Sequence, residues 1–252
     1  AAVPARAFRE LGLQSSWFAV VPRAVVSMST QHAHTTTTDG VLLHCESIDA
    51  DTTFDQTSGR YRNARLRAPN VWCTDVHPSA VAQAADIFER CDLREAHARL
   101  DMTKKTSHEL VHCPGGERFF AHHAGWNSDV SWISADDQST HAAFLSIFER
   151  MGIAQKFGSI IGDTDGGVHL YSAFFVVRTA CSRPDYHVDY SPEVHTAALT
   201  LITPLYPEYT DVQDFQLLYL TEDGTARRYR YKLGEAIVFG AEFTHSTEPG
   251  KA

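Results

Sequence analysis

Between Pro78 and about Leu100, the apolar positions of PSAVAQAADIFERCDLREAHARL recur at three- and four-residue intervals behind Ser79. That spacing predicts a serine-capped helix with one buried face. A second helix is predicted from roughly Ser139 to Phe157, where polar Ser-Thr-His opens onto AAFLSIFERMGIAQKF. Both contain IFER, a match too short to mark a repeat. Between them, ELVHC and ERFFAHH alternate with period two around Pro114-Gly115-Gly116 and predict a hairpin. Beyond the turn cluster Gly162–Gly167 the texture changes. HLYSAFFVVRTA, YHVDYS and TAALTLITPLY are rich in β-branched and aromatic residues, as strands are. FQLLYL and RRYRYKL flank TEDGTA, a hairpin signal with Asp-Gly in its turn, and EAIVFGAEFTH after Gly234 supplies a last strand ending at His245. Helices followed by five or six strands predict an α+β protein whose C-terminal half is a barrel or sandwich.

Length and composition narrow this. A chain of 252 residues, 43% hydrophobic and 21% charged, suits one large domain with a buried core. Residues 1–40 read as an N-terminal extension and 41–252 as a single domain, with helices and a hairpin at 41–160 and barrel strands at 167–252. The first 35 residues contain Arg, are rich in Ala, Ser and Thr and are nearly free of acids. They fit an organelle-targeting remnant or a flexible arm. Gln31–Gly40 (QHAHTTTTDG) is a low-complexity linker. A formal charge of −9 excludes a general nucleic-acid binder, which needs clustered cations for phosphate. No apolar run approaches the roughly 18 residues of a membrane span. Five scattered cysteines (Cys45, Cys73, Cys91, Cys113, Cys181) make neither a disulfide framework nor a structural zinc site. The expectation is an intracellular, reducing compartment, either the cytoplasm or an organelle.

Two metal motifs compete. His108-Glu109-Leu110-Val111-His112 spells HExxH, in which two histidines on one helical face bind zinc and the glutamate activates water. Its surroundings oppose a helix: Pro114-Gly115-Gly116 follows two residues after His112, and no apolar stripe precedes it. The longer HExxHxxGxxH pattern also fails at Arg118. The other motif is His187-Val188-Asp189 with His245. In a strand, residues i and i+2 project to one face, and an antiparallel neighbour can bring a second histidine beside them. Two imidazoles and one carboxylate on a triangular face leave three positions open, the arrangement of non-haem iron(II) oxygenases.

VVRTACSRPDYHVDYS resembles the strand, turn and HxD segment of the iron(II)- and 2-oxoglutarate-dependent oxygenases, particularly the prolyl 4-hydroxylase-like branch. GEAIVFGAEFTHSTEPG is similar to the same family's approach to its second histidine, with Gly234, Phe239, His245 and Pro249 in order. The resemblance covers about Gly167 to Ala252. It implies a double-stranded β-helix (a jelly-roll or cupin-like barrel) with helices packed before it. It also implies Fe(II) held by His187, Asp189 and His245, 2-oxoglutarate and O2 as co-substrates, and ascorbate as a candidate reductant. The implied reaction is oxidation of a C–H bond in a small-molecule or peptidyl substrate. Asp189 argues against halogenation, since a carboxylate fills the halide's position. The family usually places an Arg or Lys on the strand after the second histidine to hold the distal carboxylate of 2-oxoglutarate. Here seven residues follow His245, with Lys251 the only cation. Arg178, on the strand before HxD, is the alternative anchor.

Two rivals stand beside this reading: a zinc hydrolase using HExxH, and a catalytically silent barrel serving as a binding module. Asp163-x-Asp165-Gly166-Gly167 lacks the third acid and closing Glu of a calcium loop and reads as a turn. No GxSxG, Walker A or GxGxxG pattern occurs. Tyr171, Phe174, Phe175, Tyr186 and Tyr190 are candidates either for a pocket lining or for core.

Overall fold

EAIVF and LTLI lack the alternation of a half-exposed strand because both faces of their sheet are covered. The computed structural model describes residues 18–22, 52–55, 60–124, 128–153, 168–191, 198–206 and 214–251. The Gln31–Gly40 tract and the Gly162–Gly167 cluster lie outside them. In chain order the strands are β1 (Phe18–Pro22), β2 (Thr52–Asp55), β3 (Arg60–Asn63), β4 (Val71–Asp75), β5 (Thr106–His112), β6 (Arg118–Ala124) and β7 (Ser128–Ala135). They continue with β8 (Val168–Cys181), β9 (Leu199–Ile202), β10 (Leu217–Leu220), β11 (Ala226–Tyr229), β12 (Glu235–Phe239), β13 (His245–Thr247) and β14 (Gly250–Lys251). The helices are α1 (Pro78–Arg90), α2 (Leu93–Arg99) and α3 (Gln138–Arg150).

The large sheet runs β4-β12-β9-β1-β8-β7-β6-β5, with β14 also paired to β8; β11-β10-β13 form a small sheet and β2-β3 a ribbon. The described pairings are antiparallel and the sheets curl into a half-barrel, so the α+β class holds. Residues alternate between two cores. Leu199, Leu201, Ala236 and Val238 face the helices, packing with Ile87 and Phe88 of α1 and Phe144 and Ile147 of α3. Ile202, Ile237 and Phe239 face the small sheet, packing with Leu217, Tyr219 and Phe243. Two cores separated by one sheet put the concave inner face where side chains from both sheets meet.

Local chemistry shifts several predicted boundaries. The first predicted helix is two: Asp92 adopts φ 52°, a left-handed conformation that no helix can continue through, so α1 ends and α2 begins there. Its cap is His77 rather than Ser79, whose backbone N–H donates to His77 Nδ1 at 3.2 Å. Pro78 follows at the first helical position, where its missing N–H costs nothing. For α3, Asp137 caps by accepting from the Thr140 backbone N–H at 2.8 Å. Phe18–Pro22 falls within the segment read as an extension, yet β1 is paired on both edges, to β8 and β9. EAIVFGAEFTH is not one strand. The chain leaves β12 at Phe239 and enters a different sheet at His245, turning through Glu242 at φ 70°.

One cysteine expectation is corrected. Cys91, at the end of α1, and Cys113, in the β5–β6 turn, form a disulfide with Cα atoms 4.9 Å apart. Sequence separation hid this contact, because docking of α1 on the hairpin brings the two together. Cysteine usage therefore no longer argues for a reducing compartment. Among the described residues, no helix is long and apolar enough to cross a membrane.

Two stability outcomes follow from these contacts. A Cys91→Ser/Cys113→Ser double variant loses a cross-link over 22 residues of sequence separation and should be about 3 kcal/mol less stable in denaturant titration. His97 is buried between Ser131 Oγ at 2.9 Å and Thr179 Oγ1 at 3.2 Å, and burial lowers its pKa from 6.5. The unfolded chain then takes up protons that the folded chain refuses, so stability is full above pH 6.5 and declines below it. Melting temperature measured against pH should show that decline, and His97→Gln should make it shallower.

Candidate metal centre

β8 ends at Cys181, and Ser182-Arg183-Pro184 carries the chain away from it; Pro184 has no N–H to extend a ladder. The chain then runs past β13. There His187 and His245 form a single antiparallel bridge, each donating its backbone N–H to the other's carbonyl at 2.9 Å. Directly opposed residues put their side chains on the same face, and the two rings lie 4.6 Å apart. Asp189, two residues on, reaches the same point although no continuous strand forms there. Its Oδ1 is 3.6 Å from His187 Nε2 and 3.7 Å from His245 Nε2. The three predicted ligands therefore meet, with donor atoms within 4.8 Å of one another.

The orientation of each ligand has a cause. His187 Nδ1 lies 2.7 Å from the Asp185 carbonyl, and His245 Nδ1 lies 3.2 Å from the Phe243 carbonyl. A carbonyl only accepts, so each Nδ1 carries the proton and each Nε2 presents a lone pair to the centre. The His245 ring packs against Phe239 at 4.6 Å and Phe243 at 5.6 Å. Burial, reinforced by His187, pushes its pKa down to about 3, so it stays neutral as a ligand must. Asp189 and His245 are buried, whereas the His187 side chain is 25% exposed, with Tyr186 and Val188 exposed beside it. The centre opens on that side.

Two nitrogens and a carboxylate oxygen suit Fe(II) and its neighbours in the first transition row. Bonds of ~2.1 Å at right angles would set the donors about 3 Å apart. The two histidine–carboxylate separations of 3.6 and 3.7 Å lie a little beyond that, so a small closure of the side chains fits such an ion.

Sequence reasoning missed two supporting residues. Thr200 on β9 donates from Oγ1 to Asp189 Oδ2 at 2.7 Å, and Tyr190 Oη lies 3.2 Å from the same hydroxyl. A threonine between Leu199 and Leu201, in a strand buried on both faces, was the available signal. Asn70 is fully hydrogen-bonded and sits 171 residues from the loop it holds. Its side chain donates to the Ala241 carbonyl at 2.7 Å and its carbonyl accepts from Gly240 N–H at 2.9 Å. It thereby fixes the turn that delivers His245. Nothing in the local sequence separates Asn70 from an ordinary turn residue.

Thr247 of β13 and Ile202 of β9 help line a pocket that also takes Phe88, Leu205 and Tyr206 from the helix side; none of the three ligands lines it. Thr247 lies two residues beyond His245 and Ile202 two beyond Thr200, so both share the ligands' side. Val176, Arg178, Phe215 and Tyr231 complete much of the wall. Arg178 is thus turned inward. Burial lowers its pKa, offset by the Cys181 thiol and by Tyr231. None of the five aromatics singled out from sequence lines this pocket. Phe175 belongs to the helix-side core, 5.2 Å from Phe144.

HExxH is not a metal site. His108 and His112 lie on β5, both exposed, and four residues of strand separate them by about 13 Å. Glu109 accepts from Arg99 Nε at 2.8 and 3.0 Å. That removes the zinc-hydrolase alternative.

Anaerobic Fe(II) loading followed by metal analysis should give one ion per chain. His187→Ala or Asp189→Ala should bring this close to zero, and His108→Ala should leave it unchanged. Full loading of His187→Ala would rule the site out.

No family model matches the chain, and no curated protein does. Among solved structures, a protein from Shewanella oneidensis described as a "Putative oxygenase" is similar over 73% of this chain and 77% of its own. The identity is 11% and the TM-score 0.42, a likeness too slight to carry an argument about fold or chemistry.

Proposed function

We propose that this protein is a non-haem Fe(II)- and 2-oxoglutarate-dependent oxygenase built on a double-stranded β-helix. The reading rests on one observation above the rest: His187 Nε2, His245 Nε2 and Asp189 Oδ1 converge on one point. Arg178 adds to it, lining a pocket that Thr247, two residues beyond His245, also lines. The strand order supports the fold, since the eight-strand path of the large sheet and the small sheet β11-β10-β13 face each other across the ligands. Iron(II), 2-oxoglutarate and O2 together supply the oxidant for a substrate C–H bond, leaving succinate and carbon dioxide.

The chain's own residues would do the rest. His187, Asp189 and His245 would hold the ion through two nitrogens and one carboxylate oxygen. Arg178 offers a buried cation to a carboxylate, where low dielectric strengthens the contact. Among the described residues it is the one cation lining the pocket; Lys251 lies exposed on β14. Val176, Ile202 and Phe215 exclude water around the co-substrate. The exposed flank by Tyr186 and Val188 is the side from which a substrate can approach.

The test is chemical. The iron-loaded chain incubated with 2-oxoglutarate and O2 should form succinate, and His245→Ala should abolish it. If wild type binds iron and 2-oxoglutarate but never forms succinate, with or without candidate substrates, the chain is a binding module. Arg178→Leu should weaken 2-oxoglutarate binding by about 10- to 100-fold in calorimetry, the worth of a charge-assisted hydrogen bond, while iron stoichiometry stays at wild type.

A further inference from the structure

We infer that Thr200 is a positioning residue that holds Asp189 to one metal-facing oxygen and so keeps three coordination positions open. The inference rests on the proposed metal site. Asp189 has two oxygens with different surroundings. Oδ1 faces both imidazole Nε2 atoms, at 3.6 and 3.7 Å, while Oδ2 accepts the Thr200 hydroxyl proton at 2.7 Å. A hydroxyl has one proton to give, and a carboxylate is its strongest acceptor here. Tyr190, with its Oη 3.2 Å from Thr200 Oγ1, is placed to donate to the threonine oxygen in turn.

Thr200 is well held for this task. Its side chain is fully buried, and its backbone is registered against Ala19 of β1 on one side and Phe239 of β12 on the other. A β-branched side chain in a strand paired on both edges has few conformations available. The hydroxyl therefore cannot follow Oδ2 if the carboxylate rotates. Rotation toward the metal would exchange the charge-assisted bond at 2.7 Å for a neutral one from Thr200 Oγ1 to Tyr190 Oη at 3.2 Å, a loss that favours the monodentate carboxylate. The consequence is functional. A six-coordinate ion with three protein bonds keeps three positions, two for a chelating oxo acid and one for O2. A bidentate Asp189 would take one of them.

Mn(II) serves as the probe, because its bound waters are counted by water-proton relaxation and its affinity by titration, independently of turnover. Wild type should bind one Mn(II) carrying three exchangeable waters. Thr200→Val, which keeps shape and removes the hydroxyl, should carry about two and bind Mn(II) about ten-fold less tightly. Thr200→Ser should restore three waters and most of the affinity, which a packing role would not do. Tyr190→Phe tests the outer link and should fall between wild type and Thr200→Val in affinity. Three waters and wild-type affinity in Thr200→Val would overturn the role of Thr200 while leaving the metal site intact. Failure of wild type to bind Mn(II) or Fe(II), or binding that survives His187→Ala with His245→Ala, would overturn the metal site itself and this inference with it. If Thr200→Val loses its melting transition, Thr200→Ala and Tyr190→Phe decide: wild-type waters and affinity in both overturn the inference.

Discussion

Two backbone hydrogen bonds between His187 and His245 organise this molecule's chemistry. They join a stretch that has left the large sheet to the edge of the small one. Because the pair is directly opposed, both imidazoles emerge on one side. Asp189 reaches the same point through the bend that follows, its Oδ1 3.6 Å from His187 Nε2 and 3.7 Å from His245 Nε2. Without this bridge the histidines would sit on separate elements with no geometric relation.

Much of the remaining architecture holds that bridge in place. Asn70 fastens the turn between β12 and β13, so the position of His245 depends on a residue far away in sequence. Ser246 Oγ accepts from Asp185 N–H at 2.7 Å and ties the opposite stretch to β13. Phe239 and Phe243 confine the His245 ring and exclude water from it, which is why the imidazole stays neutral. The helices contribute at a distance. By covering the outer face of β9 and β12 they make those strands buried on both sides, and a strand so placed positions Thr200 without slack. Packing on one face of the sheet thereby sets chemistry on the other.

The same sheet explains which local signals could be trusted. Period-two alternation in ELVHC and ERFFAHH identified the hairpin correctly, and the hairpin in turn disposed of HExxH, because residues four apart on a strand are too distant to share an ion. Alternation was no guide in EAIVFGAEFTH, where burial on both sides of β12 erases it. The continuous apolar run then concealed a crossing from one sheet to another. The helix over Pro78–Leu100 was legible in its apolar stripe. Its break at Asp92 was not, since a left-handed aspartate costs little enough to occur without a glycine to announce it.

Sequence alone singled out the three residues that converge, because HxD spacing and a later histidine are legible whatever surrounds them. It also determined the α+β character, through the change of hydrophobic period midway along the chain. Tertiary structure decided everything that depends on contacts between distant segments. Cys91 and Cys113 pair only because α1 docks on the hairpin. β1 enters the sheet because its two edges find β8 and β9, which no local pattern records. Arg178 faces the pocket because the curl of the sheet makes that side the inside. Thr200 meets Asp189 because β9 lies beneath the bridge. Side-chain type is written residue by residue, but its direction and partners follow from how sheets pair and bend, and that is a property of the whole chain.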